Sequence, residues 1–172
     1  MKFRVKGLDK YVKQLENLSN PYNAEVCAEN ALIKGSDIVA EFTQKELQNI
    51  PTDDRSGKVE HRNGLRTIEK KFLISEFGVT PTDKKNDYMD RKTGVDKGRL
   101  DYPNSDSYVY AVVLARSLER GTSFLPKNPV FSRASRKARK PCLDAMEQSL
   151  TEDIERVMRN NQLKLQRSKF NG

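Results

Sequence analysis

The chain has 172 residues, 33% of them charged and 35% hydrophobic, with no tryptophan and a mean hydropathy of −0.80. No stretch approaches the ~18 consecutive apolar residues that would cross a bilayer, and the apolar residues are clustered and periodic, which argues against wholesale disorder. The 32 Lys and Arg exceed the 24 Asp and Glu by a net +8 at pH 7, which favours an acidic partner, and the scarcity of apolar residues predicts either an extended fold or burial gained from copies of the chain or from partners.

Phe3-Arg4-Val5 is a short β-like start. After Gly7, the residues Leu8, Tyr11, Val12, Leu15 and Leu18 form a helical stripe that Ser19-Asn20-Pro21 stops. A second, longer helix is predicted from Asn23 to Asn49, with Ala24, Cys27, Ala28, Ala31, Ile38, Val39 and Phe42 marking one face. Ile50-Pro51 ends it, residues 55–63 read as loop, and Leu65–Ile68 as a single helical turn. Phe72–Val79 reads as a strand through Phe72, Ile74 and Phe77. Residues 80–107 are rich in Gly, Asp, Lys and Asn and give a long polar loop, with a hairpin around Gly94–Gly98 as the alternative.

Tyr108–Glu119 is the most apolar segment, and its Ala, Leu and Arg content favours helix over strand, with Gly121 as its cap. Val130, Phe131, Ala134 and Ala138 open another helical face, which Pro141 kinks or restarts and Cys142 to Val157 continue to about Arg159. The expected fold is α+β: a small antiparallel sheet packed with a long N-terminal helix and C-terminal helices, with a long polar central loop. Residues 1–159 read as one domain and 160–172 as a basic, flexible tail.

Few residues call for chemistry. Cys27 and Cys142 stand far apart with no CxxC or CxxH spacing, so neither zinc nor a disulfide framework is signalled and a reducing intracellular setting is expected. The N-terminus has no apolar core of a secretory signal. The one histidine, His61, has Glu60 and Arg62 as neighbours and reads as a solvated surface residue. Phosphate-cradling glycine loops and a Gly-x-Ser-x-Gly turn are absent from the sequence, so no cofactor, metal or catalytic residue is expected.

Asp53-Asp54 followed by Glu69-Lys70-Lys71 gives the order of a metal-dependent nuclease, which needs carboxylates on a divalent cation and a lysine near the attacking water. In a chain this charged such a spacing also arises by chance. Arg133, Arg136, Lys137, Arg139 and Lys140 hold five positive charges without an acid. They offer either a phosphate-binding face or a plain solvated helix face.

Tyr110-Ala111-Val112, Leu118-Glu119-Arg120-Gly121-Thr122-Ser123, Pro126-Lys127-Asn128-Pro129-Val130-Phe131 and Arg133-Ala134 follow one another in order. This succession resembles the gene-product-ten-like neck and tail-completion proteins of long-tailed bacteriophages, which carry a Tyr-Ala start, a Glu-x-Gly-Thr-Ser turn and a Pro-x-x-Pro-Phe segment before a C-terminal helix. Val5-Lys6-Gly7-Leu8-Asp9 looks like the family's opening, and Gly64-Leu65-Arg66-Thr67-Ile68 like its Gly-x-Leu-Arg-x-Ser-Ile element.

The resemblance implies a structural virion protein without enzymatic activity, made in the host cytoplasm. It implies a ring, six copies by the family pattern, at the head–tail junction, in contact with head-connector and tail proteins and not with a membrane. Its expected interface comprises Tyr108, Tyr110, Val113, Leu114, Leu118, Glu119, Gly121, Thr122, Phe131 and the 80–107 loop. The run Arg133, Arg136, Lys137, Arg139 and Lys140 is then expected to approach passing DNA. The alternatives are a metal-dependent nuclease and a free basic nucleic-acid-binding module.

Overall fold

The computed structural model describes residues 21–55, 62–85, 88–103 and 105–170. The expected β-like start and first helical stripe, together with His61, lie outside these residues. Helix α1 spans Pro21–Gln48 and helix α2 Thr67–Ser75. Strands β1 (Phe77–Val79), β2 (Asp83–Lys85), β3 (Tyr88–Asp90), β4 (Thr93–Val95), β5 (Arg99–Asp101) and β6 (Tyr108–Tyr110) follow. Helices α3 (Ala111–Arg120) and α4 (Val130–Phe170) complete the chain. The α+β class is as expected from the sequence.

α1 and α4 form an antiparallel pair. Asn30 Nδ2 donates to Asp153 Oδ2 at 2.9 Å near one end, and Arg133 and Lys137 reach Glu46 near the other. Their shared core contains Ala24, Cys27, Ala31, Val39, Ala138, Cys142, Met146 and Leu150. These include several small side chains, and Gly35 lies where the helices come closest: a Cβ built there would meet the Met146 side chain at 2.7 Å. The long helix predicted over 23–49 is thus α1, and its apolar stripe is the face turned to α4. α4 runs through Pro141 without a restart and continues past Arg159 to Phe170, where a flexible tail was expected.

A second core joins the remaining elements through Leu47, Ile50, Leu65, Leu73, Phe77, Leu114, Leu118, Leu125 and Val130. Two expectations are corrected here. Leu65 is no helical turn: it forms a parallel bridge with Thr52, and its N–H donates to the Pro51 carbonyl at 3.1 Å. Residues 72–75, expected as strand, end helix α2, and only Phe77–Val79 is extended. The helix starts where it does because carboxylates meet its free N–H groups. Asp54 Oδ1 accepts from Thr67 N at 2.7 Å, and Glu69 Oε2 from Arg66 N at 2.9 Å.

Residues 80–107 are not one loop. β1 and β4 pair antiparallel with Phe77 opposite Val95, and β2 and β3 extend the ribbon with Asp83 opposite Asp90. Between them Thr80 N donates to the Lys92 carbonyl and Lys92 N to Thr80 Oγ1, so the Pro81-Thr82 side carries one residue more than the Arg91 side, a bulge that a proline tolerates. β5 and β6 form a second ribbon, Arg99 opposite Tyr110 and Asp101 opposite Tyr108. Tyr108–Tyr110, expected as the start of a helix, is therefore strand, and α3 begins at Ala111.

Candidate functional site

α3 links the two regions that the sequence singled out. Its Ala111, Leu114 and Leu118 are buried, so Leu114 and Leu118 belong to the core and not to an exposed interface. Strand alternation sorts the residues before it: Val109 packs toward the second core, and Tyr108 and Tyr110 point the other way. Tyr108, Tyr110 and Val113 are 51%, 43% and 50% exposed. The two rings meet edge to face with centroids 5.5 Å apart, and the Arg99 guanidinium lies 4.1 Å over the Tyr108 ring. Arg99 is itself held by Asp101 at 2.8 Å. Three large exposed apolar side chains, braced from beneath by a cation–π contact, form an apolar patch on the surface.

The other expected interface residues shape the corner after α3. Gly121 adopts φ 77°, a left-handed conformation open to glycine, and donates its N–H to the Ser117 carbonyl at 2.8 Å. Thr122 Oγ1 accepts from Leu125 N at 3.0 Å, closing the turn. Glu119 reaches across the corner to the start of α4. Its Oε1 accepts from Phe131 N at 2.5 Å and Ser132 N at 3.2 Å, and its Oε2 from Ser132 Oγ at 2.7 Å. Glu119 is thus the N-terminal cap of α4, a use that occupies both carboxylate oxygens. Phe131 is half-buried and packs on Phe77, centroids 6.4 Å apart.

Farther around α3 lies a groove of about 380 Å³ between α1, α3, α4 and the β1–β4 ribbon. Val39, Phe77, Val95, Val112, Ala115 and Phe131 form its apolar walls. Arg116 and Arg120 edge it, both exposed and, among the described residues, without a hydrogen-bonding or ionic partner. Sequence reading missed the groove because its walls come from five elements. The projecting tyrosines had a sequence signal, the two-residue spacing of Tyr108 and Tyr110, which was absorbed into a helix.

The basic run divides. Glu46, 9% exposed at its side chain, accepts from Arg133 Nε and Lys137 Nζ at 2.5 Å each, and Arg133 also donates to Asn128 Oδ1 at 3.0 Å. Hydrogen bonds from Lys137 and Arg133 hold the Glu46 carboxyl below its ordinary range, against the opposing effect of burial. Arg133 and Lys137 are therefore structural cations and leave the set expected to face DNA. Arg136, Arg139 and Lys140 are exposed and have no acidic partner among the described residues.

The nuclease-like carboxylates are also taken. Asp53 accepts from Arg55 Nε at 2.8 Å and from Asn63 N at 2.9 Å, and these donors hold its carboxyl well below the usual range. Asp54 binds the Thr67 hydroxyl and amide. Buried Glu69 accepts from the Tyr102 hydroxyl at 2.6 Å and from Arg62 Nη1 at 3.2 Å, besides Arg66 N. Burial and this carboxylate push the Tyr102 phenol well up. Lys70 Nζ donates to the carbonyls of Gln48 and Ile50 at 2.6 and 2.8 Å, covering the C-terminal end of α1, and Lys71 is exposed. Asp54 and Glu69 do meet at one helix N-terminus, where their oxygens serve the backbone.

No family model, curated protein or solved structure matches this chain. The reading of the site therefore stands on its residues. No helix among the described residues is long and apolar enough to cross a membrane.

Proposed function

We propose that the chain is a structural subunit of a tailed-bacteriophage virion, a neck or tail-completion protein that assembles as a ring at the head–tail junction. The observation that carries this reading is the exposed Tyr108–Tyr110–Val113 patch, an apolar surface that a neighbouring subunit would cover. The order of the Tyr-Ala, Glu-x-Gly-Thr-Ser and Pro-x-x-Pro segments supports the same family. So does the work these residues do here, which is to turn a corner and cap a helix. In such a ring the exposed Arg136, Arg139 and Lys140 supply cations for passing DNA without reading its sequence.

Native mass spectrometry of the purified protein, with proteomic and cryo-microscopic location of the chain in assembled particles, tests the proposal. A closed oligomer and a position at the neck are the expected results. A permanent monomer absent from particles would overturn it.

A further inference from the structure

α3 separates two surfaces that one copy of the chain leaves uncovered. One projects: Tyr108, Tyr110 and Val113, with exposed Asp106 two residues before Tyr108 and, among the described residues, without a cationic partner. The other is the recessed groove, apolar within and edged by Arg116 and Arg120. We infer that the groove receives the Tyr108–Val113 patch of a second copy of this chain, in a head-to-tail contact. The inference rests on the ring proposed above and supplies the two faces that would join its neighbours.

Three observations support this occupant. The surfaces are complementary in chemistry: aromatic and aliphatic side chains meet apolar walls, and a free carboxylate meets two free guanidiniums. Within one copy the patch and the groove's inner wall face different ways. At 3.6 residues per turn, Val113 lies roughly 100–160° around α3 from Val112, Ala115 and Glu119, with Arg116 and Arg120 on the rim between them. Finally, the patch and the groove are different surfaces of the chain. Each contact then leaves one patch and one groove open, which is the condition for a heterologous interface that propagates until it closes.

The test uses two full-length variants. Tyr110→Ser with Val113→Ser removes the patch at exposed positions. Ser135→Trp obstructs the groove from α4, at a partly exposed lining residue that belongs to neither core. Circular dichroism checks that both fold. In native mass spectra each variant alone is expected to be monomeric, with self-association weakened by about tenfold or more. Mixed, they form a one-to-one dimer and nothing larger, because only one intact patch and one intact groove remain. Variants that keep the wild-type oligomer, or a mixture that stays monomeric, would overturn the pairing and leave the ring proposal standing. A wild type that is monomeric at the highest attainable concentration overturns the pairing as well, and its absence from particles then removes the ring. A small molecule co-purifying in the groove of the wild type would also overturn it.

Discussion

Glu119 joins two helices through one carboxylate. It is the last acidic residue of α3 and accepts the first free amides of α4 across the Gly121 corner. Glu119→Ala is expected to lower stability by about 1–2 kcal/mol, read from the urea midpoint. Glu119→Gln should lose less, since an amide oxygen still accepts; equal stability of all three proteins would refute the capping role. Tyr102→Phe removes the hydroxyl that ties the β5–β6 ribbon to buried Glu69, and is expected to cost about 1–2 kcal/mol by the same measurement. At Gly64 a Cβ would lie 2.0 Å from the Pro51 carbonyl oxygen, which explains why the Thr52–Leu65 bridge admits only glycine before Leu65.

The acids of this scaffold also set its pH dependence. Glu46, Asp53 and Asp54 have folded-state carboxyls below their ordinary values. A depressed folded pKa contributes stability that is present above the unfolded value, about 4 for carboxylates. That contribution is lost as pH falls through the folded value. Urea midpoints should therefore be flat above about pH 5 and fall below it. Glu46→Gln should make that fall shallower, and an unchanged slope would show that the Arg133 and Lys137 pairing contributes nothing.

Among the elements, legibility in the sequence followed how local the cause was. α1 and the opening of α4 were legible because their apolar stripes repeat at helical spacing over many residues. Gly121 was legible because its left-handed turn needs only the glycine. α2 was not: Phe72, Ile74 and Phe77 fit a strand pattern, and what makes 67–75 helical is Asp54, which caps it from thirteen residues upstream. The β1–β4 ribbon was also hidden, since it is largely solvated and only Phe77, Thr93 and Val95 reach inward. The division of the basic run depends on Glu46, which is far from Arg133 and Lys137 in sequence, and the groove on walls from five separate elements.

Pro141 breaks the helical rule without breaking the helix. It removes the bond to the Lys137 carbonyl inside α4. Pro141→Ala is expected to raise the melting temperature, a gain of up to about 3 kcal/mol in helix propensity. A lowered melting temperature would mean that α4 needs the proline for its fit against α1.

At the scale of the whole molecule, the thin apolar content is spent on two separate cores, one along the α1–α4 pair and one beneath α3. Neither reaches the Tyr108–Tyr110–Val113 patch, which is the surface left for a neighbour. The net charge of +8 likewise resolves into cations held by acids and cations left in solvent. Replacing Arg136, Arg139 and Lys140 by Gln should weaken DNA binding and reduce the slope of log K against log salt by about 2–3. Arg133→Gln with Lys137→Gln should instead lower stability and leave that slope nearly unchanged. The reverse result, in a fluorescence-anisotropy titration across salt concentrations, would return Arg133 and Lys137 to the DNA-facing set.

The antiparallel α1–α4 pair has a practical consequence through its two thiols. Cys27 sits toward the Asp153 end, and Cys142 beside Gly35, roughly 12 Å along the axis at 1.5 Å per residue. That is too far for a disulfide without moving the backbone. Burial pushes both thiols up, so neither offers a ready thiolate. A thiol reagent can modify them only when the helices part. The rate of labelling in native buffer thus becomes a clock for that opening, with Cys27 and Cys142 timing different levels of the same strut.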